Sequence, residues 1–507
     1  MQINVVKNAR KNVVFGVINK IILLLCPFAE RTVLQIILGE QYLGLGGLYS
    51  SIISVLSLSE LGFSSVIVYN MYKPVADGDT GKVNALLAFY RKVYCVVGGV
   101  IISAGLLLIP FLPELISGSY PDGVDLTQIY LIYLGNTALS YFFYAYLTSI
   151  LVVHQRNDIT SVINSCVKIG LTGTQIAILF ITGDYYLFSL LMPCFTLLGN
   201  LLIGWRVHAL FPQYRPAGHL PAEDLKRIRR LAAGSFIQQS CAVTRNSLDS
   251  ICASAFLGLA MTAIYNNYFV IIAGVTSMMY YIIIASFTGG IGNHVATKSI
   301  EDNYREMKRL DFLYLWTGGW CTICMLCLYQ PFMQLWMGDD MLLPMSDVVL
   351  LCIYFYLLKL GDVRYIYTSA NGLWWEQRYR ALGETLLNLI LNITMGKILG
   401  ITGIILATMI SLFLCNYIWS VKITFRMYFS VSRRNDYYKY QMKQSIVTAF
   451  AAAVTYGVCR LIPSDRLFLH LVLGLAVCIV VPNVIYYAVY RKSDLFQYAK
   501  NRIFVHF

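Results

Sequence analysis

Ten charged side chains stand inside long apolar runs of this chain: Glu30, Arg31, Glu60, Lys168, Arg245, Asp249, Lys359, Asp362, Arg364 and Glu384. At the centre of a membrane helix such a group costs about 2.5–3.5 kcal/mol on insertion scales, so it must face a cavity or a partner. Arg245 and Asp249 are four residues apart and Lys359 and Asp362 three apart, spacings that put each pair on one helix face. Each pair either neutralises itself or offers its cation to a guest. Arg31 follows Glu30 directly, so the two point about 100° apart on a helix of 3.6 residues per turn. Lys168 has no acidic residue one turn away. Deep cations of this kind suit an anionic guest or a tertiary partner, and the planar fork of arginine matches phosphate oxygens. Arg31, Arg245, Lys168, Lys359 and Arg364 are therefore the candidate anion-binding residues. Glu60, Asp249 and Asp362 are the candidates for coupling to H⁺ or Na⁺. No other cofactor is expected.

The elements that must hold these charges follow from composition. The 507 residues are 58% hydrophobic and 13% charged, whereas soluble chains carry about 25% charged residues. Apolar runs of about 20 residues suffice to cross a bilayer. Fourteen such spans are expected, at 13–38, 46–70, 93–116, 127–153, 160–182, 186–206, 234–257, 262–290, 312–336, 345–369, 381–399, 401–424, 444–462 and 468–490. Trp374 and Trp375 and many tyrosines at span ends read as interfacial belts.

The formal net charge of +13 is a topology signal. Most Lys and Arg fall in loops on one side, while the opposite loops carry Glu40, Asp122, Asp125, Asp184, Asp339 and Asp340. This bias places both termini in the cytoplasm and argues against nucleic-acid binding. Lys7, Arg10 and Lys11 precede the first apolar run without a small-residue cleavage site, as in an anchor that stays.

Catalytic constellations are missing. Thr288–Gly292, TGGIG, lacks the lysine of a phosphate loop, and the six histidines show no metal-ligand spacing. Cys321, Cys324 and Cys327 form one helical stripe without polar support, so they read as small apolar packing residues and no metal is expected. The long outer loop of a membrane glycan polymerase or ligase is also absent.

An internal repeat organises the chain. Arg31–Gly44, RTVLQIILGEQYLG, recurs as Arg245–Gly258, RNSLDSICASAFLG, with each arginine thirteen residues before a glycine. At 1.5 Å per residue each arginine lies about 20 Å from its Leu-Gly turn. Six spans per repeat make the halves parallel. The expected division is an N-terminal six-helix lobe at 1–206, a Pro-rich basic linker at 207–233, a C-terminal lobe at 234–425, and two further helices with a tail at 426–507. The linker is expected to lie on the inner leaflet, or to be an ordinary solvated loop.

Three stretches carry a resemblance. Tyr42–Tyr72 reads YLGLGGLYSSIISVLSLSELGFSSVIVYNMY, Phe256–Tyr268 reads FLGLAMTAIYNNY, and Glu384–Thr408 reads ETLLNLILNITMGKILGITGIILAT. With its length, spans and short outer loops, the chain resembles polysaccharide flippases of the Wzx type. Their superfamily, the multidrug/oligosaccharidyl-lipid/polysaccharide (MOP) exporters, also includes multidrug and toxic-compound extruders and the lipid II flippase. The resemblance implies an all-α integral membrane protein, two pseudo-symmetric six-helix lobes in a V around a central cavity plus two C-terminal helices. It implies translocation of a polyprenyl-diphosphate-linked oligosaccharide across the bacterial inner membrane for O-antigen, capsule or other surface polysaccharide. Its partners would be membrane lipid and other polysaccharide-assembly proteins. The diphosphate is then the anion that the five cations would meet, with Arg31 and Arg245 reaching it from two walls. A cation-coupled small-molecule efflux antiporter is the alternative on the same fold.

Overall fold

The computed structural model describes residues 5–57, 63–284, 291, 294–295, 297–462 and 466–498; Glu60 and most of the TGGIG stretch lie outside them. The described residues are overwhelmingly helical and include no strand. Apolar side chains spaced for a helix, with few turn formers between them, leave the backbone only its own carbonyls to bond in lipid, and helices satisfy that demand locally.

In chain order the helices are α1 (Val5–Ile37), α2 (Glu40–Leu56), α3 (Phe63–Ala76), α4 (Thr80–Leu108), α5 (Leu126–Phe142), α6 (Thr148–Val153), α7 (Asn157–Thr182), α8 (Tyr185–Leu210) and α9 (Ala222–Met279). They continue with α10 (Ile300–Met337), α11 (Met345–Ala370), α12 (Arg378–Leu399) and α13 (Ile401–Ser411), the last running through a π-helical stretch (Leu412–Trp419) into α14 (Ser420–Thr424). Finally come α15 (Arg434–Arg460) and α16 (Leu467–Tyr490). The expected spans fall mostly on helix. Among the described residues, eight helices are by themselves long and apolar enough to cross a membrane, or nine if the bent pair α5 and α6 counts as one span. The described parts of the span expected at 46–70 lie in α2 and α3, and the 127–153 span bends by 48°.

Loop acids have local work. Asp79, Asp125 and Asp184 N-cap α4, α5 and α8, each accepting from one or two backbone amides of the first turn. Two of these are among the outer-loop acids that helped define the topology.

The chain forms two compact units, Met1–Ala263 and Ile264–Phe507. In the first, α1 and α7 run together with polar contacts at heptad spacing. Asn12 accepts from the Asp158 amide at 2.8 Å, and Asn19 accepts from Ser165 at 3.1 Å. The equal offset of these pairs in sequence makes the two helices parallel. The connection after α8 is pinned to the start of α4: Arg215 and Ala217 donate their amides to Asn84, and Lys82 pairs with Asp224 at 3.0 Å.

In the second unit α15 and α16 pack on α10. Gln441 donates to Asp311, to the Leu360 carbonyl and to Tyr437, while Trp316 and Trp320 donate to Asn483 and the Cys478 carbonyl at 2.8 Å each. Aromatic edges of Phe312, Trp316, Tyr486 and Tyr490 fill the same seam.

The structure corrects the register of the repeat. α9 is broken at Gly258, where φ is 87° and ψ 177°. The matching break in the first unit is at Gly39, with φ 93° and ψ −179°, and not at Gly44, which lies buried within α2. Only glycine takes this backbone freely. Arg31 therefore stands eight residues before its turn, about 12 Å, while Arg245 stands thirteen before its own, about 20 Å. The arginines are not equivalent in depth. The corrected register instead aligns Tyr49 with Tyr268, both fully buried. Tyr49 donates to the Leu126 carbonyl at the start of α5, and Tyr268 bonds Gln330 and the Leu343 amide just before α11.

Candidate functional site

The predicted cations divide between the units: Arg31, Lys168 and Arg245 in the first, Lys359 and Arg364 in the second. Lys168 is not alone. Its Nζ lies 2.8 Å from Glu30 Oε2, joining α7 to α1 through side chains about three-quarters buried. The acid was invisible from α7 because it comes from a helix far away in sequence. Arg245 is buried, with its Nε 3.5 Å from Asn246 Oδ1, and Asp249 is buried one turn further along the same helix. Arg31 is half-buried on α1 beside the paired Glu30.

In the second unit the expected pair forms. Lys359 Nζ is 2.8 Å from Asp362 Oδ2, and the Tyr314 hydroxyl donates to the same oxygen at 2.5 Å. The lysine is buried, whereas a third of the Asp362 side chain is exposed. Lys359 also lies over the Phe355 ring at 5.2 Å, a contact that compensates part of its lost hydration. Arg364 donates through Nη2 to the Asn416 carbonyl at 2.7 Å, and its buried Nη1 has no hydrogen-bond partner among the described residues.

Asp311, Asp347 and Arg380 escaped the sequence analysis. Asp311 is fully buried at the edge of an expected span, bonded by Gln441 through Oδ2, and its Oδ1 has no hydrogen bond among the described residues. Asp347 accepts from Thr402 at 2.7 Å. Glu384 pairs with Arg380 on α12, and their i,i+4 spacing was a readable signal for that partner. Further along this face Asn388 donates to Thr408 and Asn392 to Asn388. The ion-coupling candidate Glu60 lies outside the described residues.

The second unit also contains a cavity of about 590 Å³ between α10, α11, the π-helical stretch and α15. Its wall is almost wholly apolar, with Ala449, Ala452 and Ala453 of α15 leaving the room. Cavities between helices of a bundle are common sites for small molecules.

These elements define a multi-pass helical membrane protein with buried charges in both units and an apolar cavity in the second. Its fold is that of MOP superfamily transporters. A lipid II flippase MurJ in an inward closed conformation superposes with a TM-score of 0.67 at 13% identity, over 95% of this chain and 98% of that one. An inward-facing multidrug resistance MATE family transporter of the MOP superfamily matches with a TM-score of 0.57 at 14% identity, over 79% and 94%. A MOP superfamily transporter from Pyrococcus furiosus, noted for reversed polarity of its binding pocket, matches at 0.53 and 13%, over 83% and 96%. No family model matches the chain, and no curated protein matches it.

Proposed function

We propose that this protein is a flippase that moves polyprenyl-diphosphate-linked oligosaccharide from the inner to the outer leaflet of the bacterial cytoplasmic membrane, for surface polysaccharide. The observation that carries this reading is the apolar cavity of about 590 Å³ in a chain that also buries cations in both units. An isoprenoid tail needs an apolar, hydroxyl-poor channel, and its diphosphate needs donors that replace water in a medium that cannot solvate it. Arg31, Lys168, Arg245, Lys359 and Arg364 supply such donors. The ion pairs at Lys168 and Lys359 make this an exchange, in which the phosphate displaces Glu30 or Asp362 during the cycle.

In this reading lobes 1–206 and 234–425, joined by 207–233, alternate in access, with 426–507 adding two helices and both termini cytoplasmic. Asp362, partly exposed beside a buried lysine, is the better-placed coupling group for H⁺ or Na⁺, with Asp249 and Glu60 as the other candidates. Membrane lipid and other polysaccharide-assembly proteins are the expected partners. The likeness to a lipid II flippase supports the substrate class. The likeness to multidrug transporters supports a second reading, cation-coupled efflux of small molecules, for which a partly exposed carboxylate such as Asp362 would serve as the binding group.

Depletion of the protein in its native cell separates the two. The flippase reading expects a lipid-linked oligosaccharide to accumulate in the inner leaflet, measured by extraction and mass spectrometry. An unchanged lipid-linked pool together with new sensitivity to cationic dyes would replace it with the efflux reading.

A further inference from the structure

Three cysteines that no part of the transport reading uses converge in the second unit. Cys327 of α10, Cys459 of α15 and Cys478 of α16 are all buried, and their sulfurs lie within 4.8 Å of one another. Cys324 stands about one turn before Cys327 on the same helix. Three helices each deliver one sulfur to one point, and the group contains no oxygen or nitrogen ligand.

We propose that Cys327, Cys459 and Cys478 form a binding site for a thiophilic monovalent cation of the Cu⁺ class, which clamps α15 and α16 onto α10. The distances suit it. A metal–thiolate bond of about 2.3 Å sets sulfur–sulfur separations of about 4.0 Å in a trigonal three-sulfur site, so the three thiols need to close by no more than about 0.8 Å. Soft sulfur ligands without oxygen select soft ions over Na⁺, Mg²⁺ or Ca²⁺. Three sulfurs suit Cu⁺, which two or three thiolates satisfy, whereas structural zinc takes four ligands; each thiol that ligates gives up its proton. The seam is already joined by the hydrogen bond from Trp320 Nε1 to the Cys478 carbonyl, which couples an indole to one of the ligands.

The full-length protein, reduced in detergent micelles or lipid nanodiscs, is titrated with Cu⁺ buffered by a chromogenic chelator. One Cu⁺ per chain is expected to be withdrawn, with release of about two to three protons, a change in Trp320 fluorescence and a higher thermal midpoint. The triple variant C327S/C459S/C478S should withdraw none, whereas C95S/C166S/C194S, at exposed cysteines, should bind as the parent does. Should the triple variant not fold, X-ray absorption of the loaded parent decides: sulfur-only coordination at about 2.3 Å supports the site, and nitrogen or oxygen ligation overturns it. Stoichiometry unchanged in the folded triple variant, or no Cu⁺ withdrawn by the parent, overturns it as well. So does a Cys459–Cys478 disulfide as the resting state of the anaerobically purified protein.

Discussion

The Lys168 ammonium of α7 sits 2.8 Å from the Glu30 carboxylate of α1, so two costly charges on parallel helices neutralise each other. Breaking a buried pair leaves an uncompensated charge, whereas removing both members is often neutral. Because each side chain keeps 22–23% exposure, the cost is discounted. Lys168→Met alone and Glu30→Gln alone should each destabilise by about 1–3 kcal/mol. The double variant should recover most of that loss, read as a double-mutant cycle of thermal midpoints in detergent. Additive losses would show that the pair contributes nothing as a unit.

Transport should depend on the arginines more than folding does. Under the proposed function, Arg31→Ala and Arg245→Ala are each expected to lower export of the lipid-linked glycan by about tenfold, equivalent to about 1.4 kcal/mol in the rate-limiting step, with membrane protein levels near the parent's. Normal surface glycan in both would remove the diphosphate role from them. Since the two stand at different depths from their turns, unequal losses are expected.

Under the proposed function, filling the apolar cavity tests the tail separately from the headgroup. Ala449→Phe and Ala453→Phe add a ring to the wall of the cavity and should slow flipping of a long polyprenyl substrate more than that of a short-tailed analogue, in a reconstituted leaflet-accessibility assay. Equal slowing of both substrates would place the tail elsewhere.

The Tyr304 hydroxyl, 2.6 Å from Asp436 Oδ2, is the largest influence holding that carboxyl below its usual range, with Lys308 adding at 3.1 Å and partial burial opposing. A carboxyl whose folded pKa is depressed binds fewer protons folded than unfolded. Its stabilisation is complete above the unfolded value of about 3.9 and is lost as pH falls through the folded one. Half of the Asp436 side chain is exposed, so the effect is modest. The Tyr304→Phe variant should melt below the parent at pH 6 and approach it under acid conditions below about pH 4. Parallel pH profiles would exclude the link.

Gly258 tests the corrected register. A β-carbon there would stand 2.7 Å from the Ser117 carbonyl oxygen, at a φ of 87°. Gly258→Ala should cost about 1–3 kcal/mol in strain. Gly135→Ala, where nothing lies within 4 Å, should be near neutral by thermal melting. Tyr49→Phe and Tyr268→Phe should each cost about 0.5–1.5 kcal/mol if they are the equivalent anchors.

Sequence alone determined the class of this protein. Apolar run length, scarcity of charge and the bias of Lys and Arg are properties of single segments, and lipid forces such segments into helices whatever their neighbours. Pairs within one helix were equally legible, because 100° per residue puts Lys359 beside Asp362 without knowledge of anything else. Tertiary structure alone decided which partner meets Lys168, which glycine breaks the chain, and where Cys327 finds Cys459 and Cys478. Those contacts depend on how helices distant in sequence rotate and slide against one another, and no local periodicity encodes that. Two Leu-Gly pairs, Leu38-Gly39 and Leu43-Gly44, stood five residues apart, and both fitted an apolar pattern. The backbone conformation chose the first as the turn. The second is held inside α2, where a β-carbon would collide with the Leu259 carbonyl.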